Sequence, residues 1–276
     1  MGSASVLYDS PGPRAQLRNR IFALLIVAAM VAMGAGIVWQ FATKGQLAAV
    51  KWRPFLTADL WTTYVLPGAA GTLTAAAVSI VLALVLGLAL GMGRMAESRA
   101  VRWTCSVLVE FFRAVPVLIM MLFAYFLYAL YDVFPSRQLA LAGVITGLAL
   151  YNGAVIAEIV RSGVHALPRG QHEAASALGL QWGQTMRSIL LPQAVTSMLP
   201  VLVSQMVVVL KDTAIGYQIT FVEMVRQGTN IGSTYGNYIP ALMVIAVLMI
   251  SLNVVLSALA TRLEARLRRS RRAPTG

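Results

Sequence analysis

Ionisable side chains spaced three residues apart inside apolar runs are the groups here that could do chemistry. Glu110 and Arg113 lie in TCSVLVEFFRAVPVLIMMLF, and Glu158 and Arg161 lie in LALYNGAVIAEIVRSGV. Residues i and i+3 share a helix face, so each pair can neutralise itself. Unpaired charge at the centre of a bilayer costs about 3 kcal/mol on insertion scales, so such residues pair with one another or line a path for ions or polar solutes. Two readings therefore stand for Arg113: an ion pair with Glu110 facing the bundle interior, or a guanidinium shaping a translocation path or gate. Pro116 removes one backbone bond and kinks that span. Glu158 and Arg161 form a second pair, with Arg161 close enough to the span end to reach water. Asn152 is a polar group in mid-span, near any path. Lys211 and Asp212 are adjacent and cannot face each other on a helix. They mark a helix break, with Thr213 capping the next segment.

Covalent and metal chemistry have no footing in the sequence. Cys105 is the single cysteine, so no intrachain disulfide forms. His165 and His172 stand without metal-ligand spacing and read as solvated surface residues. There is no HExxH and no Gly-rich phosphate loop.

The elements that must position these groups follow from composition. The chain has 276 residues, 58% hydrophobic and only 12% charged, with mean hydropathy +0.74. Soluble domains carry about 25% charge, so an all-α polytopic membrane helix bundle is expected. About 20 apolar residues cross the hydrocarbon. Six spans are predicted, at about 21–42, 67–93, 104–131, 138–161, 191–210 and 238–261. The first is read as a retained anchor, since its apolar run exceeds a signal-peptide core. Residues 43–66 read as an outer loop with Trp52, Trp61 and Tyr64 at the interface, and Ile215–Gln227 as a short reentrant or interfacial helix. The net charge is +12. Its arginines crowd at span edges and in the tail (Arg262, Arg266, Arg268, Arg269, Arg271, Arg272), which fits orientation in a membrane rather than nucleic-acid binding. Lys and Arg concentrate on one set of loops, which places both termini and residues 168–194 in the cytosol.

That polar island, PRGQHEAASALGLQWGQTMRSILLPQA, reads as helix–Gly–helix. Pro168 suits a first turn, and Glu173 lies near the positive end of the helix dipole. Gly179 can stop the helix in a left-handed cap. A second short helix starts at Gln181, and Pro192 opens the next span. Such an element is a handle for another protein.

The spacing Glu173-Ala174-Ala175, then Gly179, then Ile189-x-Leu191-Pro192 resembles the cytoplasmic loop of bacterial ABC-importer permeases. Phe112-Arg113-x-x-Pro116 and Lys211-Asp212-Thr213 resemble stretches of the polar amino-acid subfamily, and Tyr151-Asn152 resembles its stretch before Glu158. The likeness covers about 67–262. It implies a type I importer core preceded by an extra N-terminal helix and outer loop (21–66), with a cytosolic tail at 1–20 and a basic one at 263–276. It implies coupling helices at 168–194 that dock on a separate ATPase subunit carrying ATP and Mg, so the chain itself holds no cofactor and is not an enzyme. Implied partners are two ATPases, a second and different permease, an extracellular solute-binding protein and an amino-acid substrate, in the bacterial cell membrane. Within the subfamily the chain is most similar to glutamate-uptake permeases of actinobacteria. An acidic substrate needs a cation in its path, and Arg113 and Lys211 are the candidates. The competing expectation is a solitary ion-coupled transporter or channel using Glu110, Glu158 and Asp212.

Overall fold

The structure is a computed structural model. It describes residues 12–270, with the side chains of His172, Ala260 and 263–270 excepted. Residues 1–11 of the N-terminal tail, the side chains of Arg266, Arg268 and Arg269, and Arg271 and Arg272 therefore lie outside the description, as does the His172 side chain. All regular structure among the described residues is helical. Five helices are long and apolar enough to cross a membrane, and a sixth span exists if a bent pair counts as one.

The chain divides between Leu56 and Thr57. The first unit holds α1, Pro13–Thr43, in which no residue is buried. At 1.5 Å per residue its 31 residues span about 46 Å, more than the hydrocarbon needs. The second unit holds α2 (Ala58–Gly93), α3 (Arg99–Ala114), α4 (Val117–Leu130), α5 (Ser136–His165), α6 (Arg169–Ala177), α7 (Trp182–Ile219), α8 (Met224–Tyr235) and α9 (Tyr238–Ser270).

Two sequence expectations fail on proline. The second span begins at Ala58, well before 67, because one wide π turn at Trp61–Val65 precedes Pro67 and absorbs its missing N–H. The same device, a π turn at Met186–Leu190, precedes Pro192. The second loop helix therefore runs into the fifth span without a break. Pro200 also lies inside α7.

The third span is the larger correction. Residues 104–131 are not one kinked helix: α3 and α4 are bent by 101°. Val115 is extended at ψ 128° and Pro116 at ψ 135°, since a residue before proline is pushed out of the helical region. The 14 residues of α4 reach about 21 Å. α3 is amphipathic and packs against α5 and α2. Val109 is buried with Ala154 and Ala157, against Leu90 and Phe112.

α5 is the central helix, packed against α2, α3, α4 and α7. Its contact with α2 rests on small residues four apart: Ala75, Ser79, Ala83, Gly87 and Gly91 are all buried. Spacing of four makes a continuous stripe on a helix, and the missing side chains let backbones approach. A Cβ on Gly87 would run into Cγ2 of Ile156. Gly147 plays the same part for α4, where a Cβ would lie 2.6 Å from Met121. Two apolar clusters form around α5: Met121, Val144, Leu148, Val209 and Phe221 at one end, Ile156, Val160, Ala194 and Met198 at the other.

Candidate functional site

Three features carry the candidate site: the loop after α5, an ion-pair network at the same end of the bundle, and a polar crossing in the middle.

The loop helix α6 follows Pro168, which stands at the N-cap with ψ 132° rather than inside the first turn. The helix closes as a Schellman motif: Leu180 N–H donates to Ala175 C=O at 3.1 Å, and Gly179 takes the left-handed conformation at φ +73°. Any residue with a Cβ is strained there. Gln181 and Gln184 then form a reciprocal capping box that starts α7. Glu173 and Ala174 are exposed, Ala175 is buried, and Ile189, Leu191 and Pro192 lie where the loop joins the bundle, with Leu191 and Pro192 half-buried. Leu178 is 78% exposed between the two helices. Gln193 Nε2 donates to Gln171 Oε1 at 3.1 Å, tying α6 to α7. The element therefore presents a carboxylate and a large apolar side chain to the outside while anchored to the start of a membrane helix.

The expected Glu110–Arg113 pair is loose at 3.9 Å. Arg94, just beyond α2, is the better partner of both carboxylates: Nη2 to Glu110 at 3.1 Å and Nη1 to Glu158 at 2.6 Å. Arg161 donates to Glu158 at 2.5 Å, and Arg113 lies 3.8 Å from Glu158. Three guanidiniums thus share two carboxylates and join α2, α3 and α5. The Arg94 side chain is 10% exposed and Glu158 23%, whereas Glu110 is 62% exposed. Glu110 is thus not buried within this chain's own bundle. Arg94 was legible only as a loop arginine, because its partners lie 16 and 64 residues away.

Asn152 is fully buried. It donates to Leu148 C=O at 2.9 Å and accepts from Gln205 Nε2 at 2.7 Å, so it bridges α5 and α7. Gln205 went unread in the sequence, although an amide deep in an apolar helix is itself a signal.

Lys211 is exposed, Asp212 half-buried and Thr213 buried, at the far end of α7. The helix does not stop there but tightens into a 3₁₀ stretch, Thr213–Ile219. Thr213 does not cap that stretch: its hydroxyl donates backwards to Leu210 C=O at 2.7 Å. Lys211 and Arg113 stand apart. Asn152 and Gln205 mark one level; six residues along α5 to Glu158 and six along α7 to Lys211, in opposite directions, give a separation of about 18 Å along the axes. One amino acid cannot bridge them.

Glu223 is a further buried carboxyl. It caps α8, accepting from the amides of Val225 at 2.7 Å and Arg226 at 2.5 Å. Burial pushes it up from 4.5 to about 7, and the two amide hydrogen bonds oppose that rise. The expected helix at Ile215–Gln227 is displaced: α8 starts only at Met224. Its start is pinned to α2, where Met224 N–H donates to Thr72 Oγ1 at 3.2 Å.

No group of three or more His, Cys, Asp or Glu among the described residues could hold a metal.

Sequence and fold comparisons converge. The family described as binding-protein-dependent transport system inner membrane component matches residues 83–269. The glutamate transport system permease protein GluD of Corynebacterium glutamicum is 57% identical over 228 residues, covering 83% of this chain and 84% of that protein. The glutamate/aspartate import permease protein GltK of Escherichia coli is 29% identical, covering 64% of this chain and 81% of that one. A crystal structure of an amino acid ABC transporter with histidines matches with a TM-score of 0.67 at 28% identity, over 80% of this chain and 97% of that chain.

Proposed function

The chain belongs to the family of binding-protein-dependent transport system inner membrane components; it is the permease subunit of an amino-acid ABC importer, and we propose that the amino acid it passes is glutamate. The solitary-transporter reading is not favoured: Glu110 and Glu158 are held by arginines rather than standing as open ion sites.

The observation that carries the mechanism is the helix–Gly–helix element, with Glu173 and Leu178 facing outward. In our reading residues 168–194 face the cytosol and dock on an ATPase subunit, which binds ATP and Mg and performs the hydrolysis. Glu173 supplies charge to that contact and Leu178 apolar area, while Ala174 lets the surfaces approach. Gly179 fixes the angle between α6 and α7, and Ile189, Leu191 and Pro192 seat the loop on the bundle. A push on α6 passes through Gln171–Gln193 into α7, and through Gln205–Asn152 into α5. The Arg94–Glu110–Glu158–Arg161 cluster keeps α2, α3 and α5 moving together at that end. ATP binding thereby favours one of two bundle arrangements, which is alternating access driven by differential affinity.

A second, different permease completes the path, a solute-binding protein delivers substrate at the outer end near Lys211–Thr213, and both termini lie in the cytosol. Arg113, beside the Pro116 break and 39% exposed, is the cation for an acidic substrate at the inner end of the path. Lys211 serves the outer end, since the two cannot meet on one molecule. The test is uptake by the reconstituted complex. Labelled glutamate enters with ATP, and excess unlabelled glutamate competes better than glutamine or arginine. Stronger competition by glutamine or arginine would reassign the substrate.

A further inference from the structure

At the loop end of the bundle a cavity of about 580 Å³ opens between the α2–α3 connection, the end of α5 and the root of the loop. Arg94, Arg102, His165 and Arg169 line it, with Trp182 and Met186, and no carboxylate does. Loop arginines that only orient a membrane protein extend into water. Arg94 does not: its side chain is 10% exposed, and its Nε is buried without a hydrogen-bond partner among the described residues. Glu110 and Glu158 hold the two terminal nitrogens of Arg94, which fixes its guanidinium in the cavity wall, while Arg102 and Arg169 are exposed to the cavity. Arg102 spends one nitrogen on the carbonyls of Ala96 and Glu97, and this holds its fork in place with further donors left over. α6 begins at the cavity rim with no side chain capping its first turn, so amide donors and the positive helix end add to the field.

We propose that this cavity binds a phosphate-type oxyanion at the cytosolic membrane interface. Guanidinium forks match tetrahedral phosphate oxygens in charge and geometry. The volume lies within the range of small-ligand sites, about 300–1,000 Å³, enough for a phosphoglycerol headgroup. Basic pockets between helices on the cytosolic side take anionic lipid headgroups, and Trp182 supplies the amphipathic ring such an interface favours. A headgroup seated there cross-links the α2–α3 connection to the root of the coupling loop. Free phosphate would satisfy the same donors. The site goes beyond transport of an amino acid and does not depend on which amino acid is carried.

The test uses the full chain purified in detergent. Native mass spectrometry reads retained phosphatidylglycerol against phosphatidylcholine, and binding of labelled inorganic phosphate is measured on delipidated protein. The variant is Arg102→Gln with Arg169→Gln, leaving Arg94 to its structural partners. Arg187→Gln, exposed on the same loop, is the control for charge alone. Selective retention of phosphatidylglycerol, lost about tenfold or more in the double variant and kept in the control, supports the site with a lipid source. Phosphate binding lost in the same pattern supports it with a free-ion source. Equal retention in wild type and double variant, or equal loss in the control, overturns it. Should the double variant not fold, Arg102→Gln alone is read in the same way, and unchanged binding of both probes overturns it.

Discussion

Glu158→Gln is the sharpest perturbation of the bundle. The Glu158 carboxylate accepts from Arg94 at 2.6 Å and Arg161 at 2.5 Å, with Arg113 at 3.8 Å. Neutralising it leaves three guanidiniums against the single carboxylate of Glu110. The Arg94 side chain is nine-tenths buried, so it cannot turn to water for compensation. Removing one partner of a buried pair costs about 3–5 kcal/mol. Glu158 itself keeps 23% exposure, so the lower end, about 3 kcal/mol, is expected. For a chain of this size 1 kcal/mol corresponds to about 2–4 °C, which gives a fall in Tm of about 6–12 °C in detergent. Glu110→Gln is the internal comparison. It loses one 3.1 Å contact at a side chain 62% exposed, and exposed pairs are worth about 0–1 kcal/mol, so its Tm falls by less than about 4 °C. Differential scanning fluorimetry of wild type and both variants checks this. Equal shifts for the two, or no shift for Glu158→Gln, would refute the assignment of Arg94 and Glu158 as the buried pair.

Gly87→Val puts a side chain where even a Cβ already collides with Ile156; it separates α2 from α5, and the yield of monodisperse protein on gel filtration collapses. Asn152→Ala and Gln205→Ala, measured singly and together, give a coupling energy of about 0.6 kcal/mol, typical of hydrogen bonds between membrane helices; additive effects would deny the bridge. Glu223 has a pKa in the folded chain, about 7, above the ordinary 4.5. Its protonated form therefore favours folding: stability is full below about 4.5 and is lost as pH rises through about 7. Thermal scans from about pH 4 to 8 should show that loss, and Glu223→Gln should flatten it. Gly179→Val forces a β-branched residue into φ +73°, costs about 1–2 kcal/mol, and lowers ATP-driven uptake by re-aiming α6 without reducing membrane level.

The loop and the bundle were legible in the sequence to different depths. Helix–Gly–helix could be read because each signal is local: a capping glycine and a second helix start at Gln181; Pro192 misled, since the helix from Trp182 runs on through it. Five of the six expected spans followed from hydropathy; the sixth stands only if the bent pair α3 and α4 counts as one. The break at Pro116 was visible as a kink, but its 101° angle was not. Hydropathy weighs composition, and cannot tell one straight span from two helices bent by 101°. Long-range partners escaped for a related reason. Arg94 looked like any loop arginine until α3 and α5 brought Glu110 and Glu158 to it. The stripe from Ala75 to Gly91 was readable by its spacing of four, but composition alone reduces it to a scatter of small residues. Glu223 as a cap was hidden because glutamate is not among the favoured N-cap residues.

The proposed docking of residues 168–194 on an ATPase is what joins this permease to ATP hydrolysis. Its most direct test is co-purification of the tagged chain from its native membrane, wild type against Glu173→Lys, with bound proteins identified by mass spectrometry. An ATPase and a second permease are expected with wild type, with the ATPase lost and the second permease kept in Glu173→Lys. Recovery of the same ATPase with both chains, or of no ATPase with either, would contradict it.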